Sequence, residues 1–188
     1  MFVVRNRQEL QNLHIRIANI FVAVILYNED EKSILVIQES DKQNSRFPGG
    51  SVDLTDDFQN IIVNLKEKGK IRSISDFFRL LARAAKRELQ EEISFEIDES
   101  KLSFICALIT DNEEGDGHHL KVFFKYSLAK AFSPNINSAS EEEERLISFQ
   151  FLRASYDRNK RFLTLDPALH LASSHFKAAL EAAINGQI

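Results

Sequence analysis

The chain has 188 residues, the length of one domain of ordinary size. Its 44% hydrophobic content allows a packed core, and 15 Phe with no Trp point to an aromatic-rich one. A formal net charge of -4 argues against nucleic acid or an anionic membrane surface as the main partner, and the single Cys106 excludes an intramolecular disulfide.

Residues 1–5 contain no apolar stretch resembling a leader. No apolar run reaches the roughly 18 residues of a membrane-spanning helix. The cytoplasm is therefore the expected location.

In chain order, residues 17–27 form a β-rich run too apolar to leave a wet face, Asn28-Glu29-Asp30-Glu31 is a turn, and 33–38 is a second strand, so the pair reads as a hairpin. A polar stretch leads into Phe47-Pro48-Gly49-Gly50. A short helical pattern spans 56–68, and a longer one runs from 75 to 93 with Ser73 or Ser75 as the N-cap. Strands follow at 102–110 and 120–128, separated by a loop that holds Glu113, Glu114 and Asp116. Another strand is expected at 146–152. A helix at 167–184 closes the chain, with Pro167 in its first turn.

With no repeat and no Pro/Gly-rich linker, residues 1–188 read as one mixed α/β domain. Cys106, inside Phe104-Ile105-Cys106-Ala107-Leu108, reads as a small buried core residue.

The helix at 75–93 carries the functional reading. On a wheel of about 100° per residue, Asp76, Arg79, Arg83, Lys86, Arg87 and Gln90 share a polar arc. Phe77, Phe78, Leu80, Leu81, Ala82, Ala84, Ala85, Leu89 and Ile93 share the apolar one. Glu88, Glu91 and Glu92 fall in the apolar arc near its C-terminal end. Like charges at i, i+3 and i+4 repel, and turning them inward adds a desolvation cost. Arg87 satisfies part of the cluster, and a hard divalent cation with oxygen ligands is the natural remainder.

These residues resemble the Nudix hydrolase superfamily, whose signature is G-x5-E-x7-R-E-U-x-E-E-x-G-U with U a bulky aliphatic residue. Arg87-Glu88-Leu89-Gln90-Glu91-Glu92-Ile93-Ser94-Phe95 matches its second half, and Phe47-Pro48-Gly49-Gly50 resembles its glycine turn. The likeness covers residues 18–152. Three departures stand out. Arg87 lies 37 residues after Gly50 where the signature puts it 14 after, an insertion of 23 residues at about 54–76. Arg79 replaces the signature's first Glu, a loss that Asp53, Asp56 or Asp57 could offset. Ser94 replaces its last Gly.

The resemblance implies an α/β/α sandwich with a mixed β-sheet, and a metal-dependent pyrophosphohydrolase that cleaves a nucleoside diphosphate linked to another moiety. It implies Mg2+ or Mn2+ held by Glu88, Glu91, Glu92 and the carbonyl of Gly50. Glu91, Glu92 and Arg87 would be the catalytic residues, with Arg87 orienting the carboxylates. The general base is either Glu91 or one of Glu113, Glu114 and Asp116. The expected partner is a small nucleotide-type molecule, and a homodimer stays open. The substrate-binding residues are not specified. The alternative is a Nudix domain that senses a nucleotide without turning it over.

Overall fold

The long apolar strand read at 17–27 organises the whole architecture. In the computed structural model, which describes residues 2–39, 45–52, 71, 73–111, 117–128, 147–157, 162–166 and positions 177, 179–181 and 183, that strand is β2 (Ile17–Asn28). It follows β1 (Phe2–Val4) and α1 (Arg7–Gln11) and pairs with β3 (Ser33–Glu39) only at its end, through Tyr27↔Ile34 and Asn28↔Ser33. The hairpin is thus real but forks after two residue pairs.

The remaining elements are β4 (Ser45–Arg46), α2 (Ile74–Ile93), a 3-10 turn at Glu99–Lys101, β5 (Ser103–Asp111), β6 (His118–Leu128), β7 (Ile147–Asp157) and β8 (Phe162–Asp166). The sheet order is β1-β5-β6-β2-β3-β7-β8, with β4 on β3. It is a mixed sheet: β2 and β6 run parallel, and the other named pairs are antiparallel.

Alternation along β2 and β6 sends side chains to two cores. Ile20, Val22 and Val24, with Leu120, Val122 and Phe124, pack toward Phe77, Phe78, Leu81, Ala85 and Leu89 of α2. Phe78, Phe104 and Phe124 meet edge to face at centroid distances of 5.2 to 6.4 Å, so the Phe-rich composition is spent on this core. Each buried side chain of this size contributes about 2 kcal/mol. On the opposite face, Ile25, Phe123, Cys106 and Leu108 pack with Ile34, Val36 and Leu152 and with the helical Ala179, Leu180 and Ala183. A bulge between Phe104 and Cys106 turns both Ile105 and Cys106 to that side. Burial there pushes the Cys106 thiol up to about 12. Helix, mixed sheet and helical segment form the expected α/β/α layers.

The structure adds elements absent from the sequence reading: β1, α1, β4 and β8. All four are short, and α1 depends on one local cap, Asn6 accepting from the Glu9 N–H at 2.8 Å. Ser73, not Ser75, caps α2 by accepting from the Asp76 N–H at 3.3 Å. β7 runs five residues past the expected 152 because β8 pairs along its end. The expected helix at 56–68 and the acids Asp53, Asp56, Asp57, Glu113, Glu114 and Asp116 lie outside the described residues. No helix of the described residues is long and apolar enough to cross a membrane.

Candidate active site

Where β3 diverges from β2, the edge of β2 would carry unpaired backbone groups. Residues 48–52 fill it: the Val22 N–H donates to the Gly50 carbonyl at 2.9 Å, Val24 N–H to the Pro48 carbonyl at 2.9 Å, and Val52 N–H to the Ile20 carbonyl at 3.0 Å. The approach is close enough to exclude a side chain at Gly49. With φ at +147°, a Cβ there would overlap the Val22 carbonyl oxygen and lie 2.7 Å from the Ala23 Cα.

The last turns of α2 grip this segment residue by residue. Glu92 takes the Gly49 N–H on one carboxylate oxygen at 2.7 Å and the Arg46 guanidinium on the other at 2.6 Å. The Glu88 carboxylate rests against Gly50, where a Cβ would overlap Glu88 Oε2 and lie 2.6 Å from its Cδ. Arg87 donates to the Ser51 carbonyl at 2.9 Å and to Glu88 Oε1 at 2.7 Å, and its Nε stands 3.7 Å from Glu91 Oε1. Arg87 thus spans Glu88 and Glu91.

The wheel placed all three glutamates inward. Glu88 and Glu92 are indeed largely buried, with side chains 12% and 13% exposed, but Glu91 is 60% exposed. Glu91 sits at the margin of the apolar arc, beside Arg87, while Leu89 and Ile93 of the same turns are fully buried. Burial pushes the Glu92 carboxyl above the usual carboxylate range, against the opposing pull of Arg46 and the Gly49 N–H, and the neighbouring Glu88 adds to the rise. Among the described residues, no three His, Cys, Asp or Glu side chains converge into a cation-holding group. The Gly50 carbonyl already accepts from Val22, which leaves one lone pair for another partner.

Two departures from the signature also have a place. Arg79 pairs with Asp76 at 3.4 Å on the solvent side, 60% exposed, turned away from the site. Ser94 is the C-cap of α2 and takes the left-handed conformation (φ 52°, ψ 38°) that favours glycine, while Phe95 N–H closes the end on the Leu89 carbonyl at 3.1 Å.

On the other side of the glycine segment lies a pocket of about 370 Å³, lined among others by Phe21, Arg46, Phe47, Ser51, His119 and Lys121. The parallel register sets Phe21 beside Lys121, and the Phe21 and His119 rings meet at 5.9 Å and 62°. These residues and Arg46 were not singled out from the sequence. The available signal was Lys121, a charge inside the apolar run Leu120–Phe124 of a strand buried on both faces.

No protein-family model and no curated protein sequence matches the chain. Solved structures do match at probability 1.00. The Escherichia coli dihydroneopterin triphosphate pyrophosphohydrolase superposes with a TM-score of 0.53 over 88% of this chain and 94% of that one, at 17% identity. A MutT Nudix hydrolase from Burkholderia pseudomallei gives 0.51 over 87% and 96%, at 14% identity. A UDP-X diphosphatase gives 0.51 over 90% and 64%, at 11% identity. The fold of this chain is the Nudix fold.

Proposed function

We propose that the chain is a cation-dependent pyrophosphohydrolase that cleaves a nucleoside diphosphate joined to another group, by attack of water on phosphorus. The observation that carries this reading is the registered contact between α2 and the glycine segment: Glu92 on Gly49, Glu88 against Gly50, Arg87 on Ser51. A helix that spends two largely buried carboxylates on one turn pays a desolvation cost, and the arrangement concentrates hard oxygen donors where the chain lacks side chains to obstruct approach.

The donor set fits Mg2+ or Mn2+: carboxylates of Glu88, Glu91 and Glu92, with the second lone pair of the Gly50 carbonyl. Bound there, the cation would neutralise phosphate charge and lower the pKa of water. Arg87 holds Glu88 and Glu91 in fixed relation. Glu91, the most exposed of the three carboxylates, accepts the proton of the attacking water as the new P–O bond forms. The bridging P–O bond breaks and its electron pair leaves on the departing phosphate oxygen.

A second reading, nucleotide binding without turnover, is favoured by one observation: among the described residues the carboxylates do not converge on a common point. The two readings separate on product release from a panel of nucleoside diphosphate compounds with Mg2+ or Mn2+. Turnover by the wild type that Glu91→Gln and Glu92→Gln each reduce by about a hundredfold or more supports the hydrolase. Tight binding of a compound with no product from any of them supports the sensor.

A further inference from the structure

Four successive carbonyls of the glycine segment are all held, and by alternating kinds of partner. Those of Pro48 and Gly50 accept from the Val24 and Val22 N–H groups of β2. Those of Gly49 and Ser51 accept from two guanidinium groups instead, Arg46 Nη1 at 3.1 Å and Arg87 Nη2 at 2.9 Å. Each of these arginines also holds one largely buried glutamate of α2: Arg87 donates to Glu88 at 2.7 Å and Arg46 to Glu92 at 2.6 Å. The two arginines are matching clamps, each with one arm on the backbone of the segment and one on the helix. The signature includes Arg87 but does not reach back to Arg46. Yet Arg46 has the firmer mounting: its backbone pairs through Ile37 with β3, the strand that forks from β2, so its head ties β3, the segment and α2 at one point. Glu92 closes the ring by accepting the Gly49 N–H at 2.7 Å. Both peptide groups of Gly49 are therefore fixed, the N–H by Glu92 and the carbonyl by Arg46, at a residue whose φ of +147° suits glycine alone. Each Glu92 oxygen keeps a lone pair for a further partner.

We propose that Arg46 is a positioning residue for the divalent-cation site: it sets Glu92 and the Gly49–Gly50 peptide in the geometry a cation needs, as Arg87 sets Glu88. The inference rests on the hydrolase reading for the cation itself. It also carries a sign that charge alone does not. A guanidinium beside a carboxylate opposes an incoming cation, so electrostatics by itself predicts tighter cation binding once Arg46 is removed. Positioning predicts the reverse, because a Glu92 released from the clamp turns away from the segment and the peptide next to Gly50 is free to rotate. The fork of a guanidinium meets two acceptors on different elements at once. The ammonium of a lysine, a single point charge, does not hold both.

The test is Mn2+ titration of the full chain, followed by electron paramagnetic resonance, on the wild type, Arg46→Met, Arg46→Lys, Glu92→Gln and the double variant Arg46→Met with Glu92→Gln. Arg46→Met is expected to weaken Mn2+ binding about tenfold, and Arg46→Lys nearly as much although it keeps the charge. Because Arg46 acts through Glu92, the double variant should bind Mn2+ no more weakly than Glu92→Gln alone. Arg46→Met leaves a largely buried carboxylate without its counter-charge. If that variant does not fold, Arg46→Lys and the double variant, neither of which strands a charge, decide the matter. Circular dichroism melting confirms that each protein titrated is folded. Equal or tighter Mn2+ binding in Arg46→Met, wild-type affinity in Arg46→Lys, or a loss in the double variant beyond that of Glu92→Gln overturns the proposal, and leaves the hydrolase reading standing where diphosphate compounds are still turned over. A wild type that binds no Mn2+ overturns both together.

Discussion

The two sides of residues 49–51 handle charge in contrasting ways. Toward α2, Glu88, Glu91 and Glu92 crowd within two turns of one helix, and their charge is held down by Arg46, Arg87 and a backbone N–H. Toward the pocket, Arg46 and Lys121 stand among rings, with no acid among the described residues of the lining. Arg46 belongs to both sides. The contrast teaches that a strand edge left open by the fork between β2 and β3 does more than complete a sheet: it is a thin wall, side-chain-free at two positions, with opposite electrostatics on its faces.

The wall itself is the place to break that contrast most severely. In Gly49→Ala the new methyl group meets rigid backbone at Val22 and Ala23, and both sides should collapse together. Urea unfolding should show a loss of about 3 kcal/mol or more. Gly50→Ala should act on the helix side alone, because the atoms in its way are the end of the flexible Glu88 side chain. Mn2+ affinity, read by electron paramagnetic resonance, should drop about tenfold or more, with the melting temperature nearly unchanged. Equal loss of stability in the two variants would erase the distinction.

A smaller effect follows from Glu92. Burial holds its carboxyl above the usual range in the folded chain, so the folded state keeps that proton where the unfolded chain has lost it. Its contribution to stability is fully present below the ordinary value of 4.5 and is lost as pH rises through the raised one. Urea unfolding at a series of pH values should show the wild type gaining relative to Glu92→Gln as pH falls from 7 toward 4.5. A flat difference would mean that Arg46 cancels burial entirely. Smallest is Ser94→Gly: removing the side chain from a left-handed C-cap should raise stability by about 1 kcal/mol, measured by the same unfolding, with no effect on the pocket.

Much of the helix side was legible in the sequence. The apolar periodicity of α2 placed Glu88 and Glu92 on the covered side, and Pro48-Gly49-Gly50 marked a backbone that must pass close to something. Glu91 was misjudged because it lies at the edge of the apolar arc, next to Arg87, where angle alone does not separate a covered position from an open one. The pocket side was not legible. Its residues come from β2, β6 and the segment 46–51, which meet only through the parallel register of β2 with β6 and the fork in the hairpin, and neither is encoded in local pattern. Arg46 belongs to this class: its partner Glu92 is 46 residues away. The short elements β1, α1, β4 and β8 escaped for a related reason, since two to five residues give too little periodicity to register.

The central claim is that the glutamates of α2 and the glycine segment together hold a divalent cation. Its most direct test is the anomalous signal of Mn2+ in crystals of the full chain. The expected result is an ion between the C-terminal turns of α2 and Gly50, with the Glu88 carboxylate at about 2.1 Å and Glu91 drawn in from solvent. A saturating Mn2+ soak that leaves Glu88 closed on Arg87, with no ion beside Gly50, would contradict it.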